Sequence, residues 1–222
     1  MMKRPFLLFL PFLLFVAGAF VACEEVEEPG IYANWQQRNE AFIDSIKAAT
    51  GDNIVATIEQ ADEMELGKLY AIQAPTSTGA NPRYIYCKKL VANIEGERPM
   101  YTGYHSVVSA YSRGTYITGD NLYKNFDGYG ALDREIPIPP AKEPSPFDSP
   151  VSFAVIDPPY VVGAEWPLQH MRTGERWILY IPWKAWNNGS TDYTAYNNKQ
   201  AIQTILAYST ITYDLILEDL PE

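Results

Sequence analysis

The chain has 222 residues, 47% of them hydrophobic, 20% charged and 14% aromatic, a globular composition that excludes wholesale disorder and fibrous repeats. Seventeen Lys and Arg against 27 Asp and Glu give a formal charge of −10, which excludes a nucleic-acid binder that works by neutralising phosphates.

The first element is an address. Lys3 and Arg4 precede a run from Pro5 to Ala22 without a charged residue, and small residues then lead to Cys23. That is the layout of a secretory signal, with a membrane-spanning anchor as the alternative; Pro5 and Pro11 break the run, which favours the removable signal. Val21-Ala22-Cys23 resembles a bacterial lipobox, so residues 1–22 are expected to be removed and Cys23 lipidated. Residues 23–30, with Glu24, Glu25, Glu27 and Glu28, form an acidic tether. It resembles the export signal of Bacteroidetes surface lipoproteins, with a merely solvated spacer as the alternative. The expected location is the cell envelope, anchored by lipid, at the outer membrane. Cys87 would then have no thiol partner, and its place in Tyr84-Ile85-Tyr86-Cys87 suits a small buried apolar residue.

Ile31, Trp35, Phe42 and Ile46 share one helical face, and Gly51 follows where a C-terminal cap belongs, which predicts an amphipathic helix over 31–49. Residues 51–82 carry no clear period, so 31–83 reads as an N-terminal helix and extension. Alternation then marks strands at Val107–Tyr111, ending at Gly114, at Trp177–Ile181 and at Thr210–Leu217. Six prolines make 127–150 an irregular excursion, since proline cannot donate to a sheet ladder. Residues 187–200 read as a polar, Asn-rich loop. Between Tyr160 and Met171 there is room for one short helix. These elements add up to an α+β domain, an antiparallel sheet with one or two helices against it.

The chemistry-bearing residues are sparse. His105 and His170 have no acidic or Cys residue at metal-ligand spacing, so no metal and no cofactor is expected. Nucleophile elbows and phosphate-binding glycine loops are absent, and the carboxylates are scattered. The 5 Trp and 16 Tyr suit either a sugar-binding face or a core.

A series of short motifs then resembles one family. Tyr111-Ser-Arg-Gly114 with the Gly119 turn looks like the Y-x-G strand of FKBP-type peptidyl-prolyl cis-trans isomerases. Pro150-Val151-Ser152-Phe153 is similar to that family's P-x-x-F strand. Val161-Val162-Gly163, Leu168-Gln169-His170-Met171 and Gly174-Glu175-Arg176-Trp177 resemble its V-x-G-W, L-x-x-M and G-E-R-W run. Tyr180-Ile181-Pro182 and Ser209-Thr210-Ile211-Thr212-Tyr213-Asp214 are similar to its last two strands. The resemblance runs over about residues 84–219, in order, and resembles the lipoprotein members of Bacteroidetes.

What it implies is an FKBP-like twisted antiparallel sheet wrapped around a short helix, over 84–222, and rotation of X–Pro bonds in exported proteins. The implied partners are proline-containing polypeptides, with the membrane reached through Cys23, no nucleic acid, and a monomer. Residue by residue it implies Tyr111 and Tyr213 as pocket walls, Val161 as a backbone donor, and Phe126-Asp127 as the family's Phe-Asp pair, with Phe147-Asp148 the alternative. Val151, Phe153, Ala164, Trp166, Trp186, Ile205 and Tyr208 are implied around the substrate. The pocket is divergent: Ala164 replaces the aromatic floor, and Asn187-Asn188 falls at the family's rim Tyr-Gly, where Trp183 or Trp186 can substitute. The alternative implied by that erosion is a non-catalytic FKBP-fold lipoprotein binding a peptide, protein or glycan.

Overall fold

The computed structural model describes residues 30–74, 83–133, 135–186 and 189–221. Residues 1–22, expected to be a removable signal, Cys23, the acidic run at 24–28 and the Asn187-Asn188 pair lie outside the described residues. The chain divides at residue 34. Before it, residues 30–33 form one turn, closed by the Ala33 N–H donating to the Gly30 carbonyl at 2.7 Å.

From Asn34 onward there is one compact unit. Helix α1 (Trp35–Thr50) starts at Trp35 rather than at Ile31, because Asn34 takes a left-handed conformation (φ 52°) that a helix interior does not admit. Gly51 (φ 59°) closes it, its N–H donating to the Lys47 carbonyl. The strands are β1 (Ile54–Val55), β2 (Leu69–Ala74), β3 (Arg83–Val91), β4 (Val107–Thr115), β5 (Asn121–Lys124), β6 (Val151–Ala154) and β7 (Arg176–Ile181). Then come β8 (Tyr193–Asn197), β9 (Gln200–Ile205) and β10 (Ile211–Asp219), with a one-turn helix α2 (Glu165–Leu168) between β6 and β7.

Eight strands form one sheet in the order β1-β2-β3-β7-β10-β4-β5, and β6 also pairs with β4. The sheet is mixed, since β1 runs parallel to β2 while the other pairs are antiparallel. β1 and β2, which precede residue 84, extend the same sheet through β3. β8 and β9 form a separate hairpin.

Side chains alternate across a strand, so the register assigns each residue to a face. Val108 and Ala110 on β4, Trp177, Leu179 and Ile181 on β7, and Tyr213, Leu215 and Leu217 on β10 share one buried cluster. We call this the inner face; Leu168 of α2 and Ala195 and Ile205 of the hairpin pack into it. Cys87 is buried there as well, and burial pushes its thiol well above the ordinary range, so it behaves as packing. The outer face carries Tyr86, Ile178 and Tyr180, covered by Phe42, Ile43 and Ile46 of α1.

Two buried ion pairs join the interior strands of the sheet. On the inner side, Lys89 is 1% exposed and donates to Glu175 at 2.8 Å and to the Ala61 carbonyl at 2.6 Å. On the outer side Arg176 and Asp214 form a two-pronged pair at 2.9 and 2.6 Å. Among the described residues no helix is long and apolar enough to cross a membrane.

Candidate functional site

The motif residues divide between the two faces. Tyr213 pairs with Gly114 on β4 and faces inward, and a Cβ at Gly114 would come within 2.5 Å of the Tyr213 ring. That close approach is the reason a glycine stands there. Tyr111 lies three residues before Gly114, an odd number, so it points to the opposite face. Its ring meets Phe126 at 5.9 Å, edge to face. The inward residue two positions before Gly114 is Ser112, which is buried. A pocket-wall role for Tyr111 is therefore corrected: Tyr-Ser-Arg-Gly carries one residue more than Y-x-G, and a one-residue slip reverses the face.

Phe126 and Asp127 do not join an inner-face site either. Phe126 is buried under the Arg176 guanidinium, 5.5 Å from its ring centre, and Asp127 is 81% exposed beside Lys124 and Arg113 at 3.8 Å. The alternative pair is equally remote from chemistry, with Phe147 95% exposed. Arg176 holds this region in place by donating to the Ala141 and Lys142 carbonyls as well as to Asp214, while the Tyr129 N–H donates to Asp214 at 2.7 Å. The Pro-rich excursion is thereby fastened to the outer face.

On the inner face the remaining residues do converge, but as packing. Val161, Ala164, Ile205 and Tyr213 have no exposed surface, Phe153 is buried, and Val151 is half-buried against the same cluster. The Val161 N–H donates to the Pro158 carbonyl at 3.3 Å, so it is not free to receive a substrate carbonyl. The Tyr213 hydroxyl lies near the Val162 N–H and the Gln203 side chain but makes no hydrogen bond of ordinary geometry among the described residues. Burial drives its pKa far upward.

The β8–β9 hairpin is what closes this region. Asn197 donates to the Tyr160 hydroxyl at 2.6 Å, and Gln203 donates to the Pro159 carbonyl at 2.7 Å. The Tyr116 hydroxyl donates to the Thr204 carbonyl and accepts from the Leu206 N–H. Tyr160 in turn stacks against Tyr123 at 4.6 Å and Phe153 at 5.8 Å. Part of the stretch expected to be a polar loop is thus a strand pair turning through Asn198 and Lys199, both at positive φ.

Trp166 is half-buried and turned toward β2, its indole N–H donating to the Gln73 carbonyl at 2.7 Å and its ring against His170. Tyr208, at φ 60°, stacks on Trp183 at 5.1 Å. Neither lines the cavity beside Gly163. Trp186 does.

Trp186 walls a cavity of about 230 Å³ together with Ile156, Asp157, Pro158, Val162, Gly163, Glu165 and Tyr193. The Trp186 and Tyr193 rings meet edge to face at 5.7 Å. Gly163 (φ 84°) has to be glycine both for its backbone and because a Cβ would meet Ile181 and Trp186 at 2.9–3.0 Å. Burial raises the Glu165 carboxyl above its ordinary value, and the Asp157 charge adds to that. Burial and the same two carboxylates raise Tyr193. Asp157, Glu165 and Tyr193 are not singled out by the sequence, because four separated segments assemble the cavity and no local pattern joins them. Among the described residues no group of three His, Cys, Asp or Glu is placed to hold a metal.

No protein-family model matches the chain, and neither does any curated protein. Among solved structures, it is similar to the three FKBP domains of wheat FKBP73, with 20% identity and a TM-score of 0.41 over 61% of this chain and 45% of that one. It therefore spans less than half of the wheat structure. A peptidyl-prolyl cis-trans isomerase from Pseudomonas syringae pv. tomato is 15% identical, with a TM-score of 0.41 over 83% and 96% of the two chains. FkpA from Escherichia coli is 19% identical, with a TM-score of 0.40 over 94% and 80%. A likeness of this extent identifies neither substrate nor activity.

Proposed function

We propose that this chain is a polypeptide-binding lipoprotein of the cell envelope, built on a divergent FKBP-type domain, that holds its ligand without turning an X–Pro bond. The family reading is supported by the order of the motifs at Gly114, Pro150–Phe153, Val161–Gly163, Met171–Trp177 and Ser209–Asp214. The non-catalytic reading is carried by one observation: the Val161 N–H is hydrogen-bonded to Pro158 while Tyr213 and Ala164 are sealed beneath the hairpin.

An isomerase of this kind works by removing water from the amide and fitting the twisted form better than either planar one. The amide C–N bond has partial double-bond character, so the uncatalysed turn takes tens to hundreds of seconds. Two carboxylates line the cavity that is open here, and carboxylates keep water in place.

A second reading has one observation in its favour. The cavity lies beside Gly163, just before α2, and has two aromatic walls, Trp186 and Tyr193, so it could stack a proline ring and make the chain an isomerase. Exchange spectroscopy separates the two. With a proline-containing peptide and the purified chain, the binder reading expects shifted peptide resonances and cis and trans signals that do not exchange faster than in buffer. Faster exchange on binding would favour the isomerase.

The membrane reading rests on Val21-Ala22-Cys23. Replacing Cys23 with Ala should release the chain from the membrane fraction of the cell that makes it. Retention in the membrane would reject the lipid anchor.

A further inference from the structure

We propose that the cavity between Trp186, Tyr193, Asp157 and Glu165 is a receptor for the cationic end of a basic side chain, so that the polypeptide held is one carrying Lys or Arg. This deepens the polypeptide-binding reading and rests on it.

The two carboxylates reach the cavity from different elements, Asp157 from the turn after β6 and Glu165 from the first position of α2. Neither forms an ion pair among the described residues, and no Lys, Arg or His lines the cavity. The Asp157 charge nonetheless acts on Glu165, and both carboxylates act on Tyr193. A half-buried carboxylate beside a second, exposed one, with no cation lining the cavity, is an unfavourable arrangement, which a bound positive charge relieves.

The aromatic walls narrow the ligand further. Trp and Tyr present negative ring faces, which attract an ammonium or guanidinium and are a poor environment for an anion. A hard metal cation is a worse match, because it needs six or more oxygen ligands and the indole ring supplies none. A neutral apolar group would displace water from both carboxylates and give nothing back. A volume of about 230 Å³ accommodates the end of a long side chain with its methylene stem against Ile156 and Pro158. The formal charge of −10 adds a long-range attraction for basic segments.

The test is a calorimetric titration of the purified chain with the peptides acetyl-Ala-X-Pro-Ala-amide, where X is Lys, Arg, norleucine or Glu. Norleucine keeps the stem of lysine and lacks the charge. The Lys and Arg peptides should bind about tenfold more tightly than the norleucine peptide at low ionic strength, with the advantage shrinking as salt rises. The Glu peptide should bind most weakly. In the double variant Asp157→Asn, Glu165→Gln, whose circular dichroism should match the parent, the preference for Lys over norleucine should fall to within about twofold. If the double variant misfolds, Glu165→Gln alone should still reduce the preference.

Equal affinities for the Lys and norleucine peptides would overturn the cation receptor while leaving polypeptide binding intact. Failure of all four peptides to bind would overturn the polypeptide-binding reading, and this inference with it.

Discussion

The two faces of the sheet absorbed the two long irregular stretches of the chain in opposite ways. On the outer face the Pro-rich excursion is held by a charge: Arg176, 1% exposed, grips Asp214 and the carbonyls of Ala141 and Lys142. On the inner face the β8–β9 hairpin is held by neutral hydrogen bonds at its rim and by Ala195 and Ile205 in the core. The outer arrangement fixes a position, whereas the inner one covers a core and leaves an opening at its margin. The proposed binding lies at that margin, between covered and open surface, and the charged clamp is structural.

The largest effect should come from breaking the outer clamp. Asp214→Ala leaves a buried guanidinium without its partner, and the cost should be about 3–5 kcal/mol in urea unfolding. A loss below about 1 kcal/mol would mean that Arg176 finds water or another acceptor, which contradicts the clamp. The counterpart on the inner face is Gly114→Ala, where the new methyl meets the Tyr213 ring. Overpacking of that kind should cost about 1–3 kcal/mol.

Tyr213→Phe sharpens the contrast, because it removes a hydroxyl that makes no hydrogen bond of ordinary geometry. Stability should then stay within about 0.5 kcal/mol of the parent, despite complete burial. A large loss would show that the hydroxyl bonds to Val162 or Gln203 in solution.

Glu165→Gln should have the smallest effect and the most specific signature. The folded pKa of Glu165 is raised, chiefly by burial and then by Asp157. The folded state therefore holds its proton to higher pH than the unfolded state does, and stability falls as pH rises through that interval. The variant should gain about 0.5 kcal/mol at neutral pH, with the gain vanishing below the ordinary carboxylate pKa. Tyr193 and Tyr213 also feel the Glu165 charge, but both titrate far above this range. A gain that persists unchanged into acid would contradict the electrostatic cause.

Much of this fold is legible as alternation. Val107–Tyr111, Trp177–Ile181 and Ile211–Leu217 each expose a period of two, and β4, β7 and β10 lie over them. β1 and β2 are less legible, because β1 is only two residues long and two residues cannot display a period. The hairpin hides for a different reason. Its turn is Asn198-Lys199 with both φ values positive, a conformation that Asn-Gly would announce and lysine does not.

The site is legible only in part. Trp186 carries its aromatic character openly, one position before the Asn-Asn pair. The count from Tyr111 to Gly114 was equally visible and already moves Tyr111 off the inner face, since three residues separate them where Y-x-G has two. Asp157, Glu165 and Tyr193 carry no local signal, since their meaning arises only when the turn after β6, the start of α2 and the hairpin come together.

A protease-coupled isomerisation assay on several X–Pro peptides tests the central claim most directly. With the inner face sealed and the Val161 N–H engaged, the account predicts no acceleration over buffer at micromolar protein, under conditions where the same peptides bind. Acceleration that disappears in Trp186→Ala would contradict it and make the chain an isomerase.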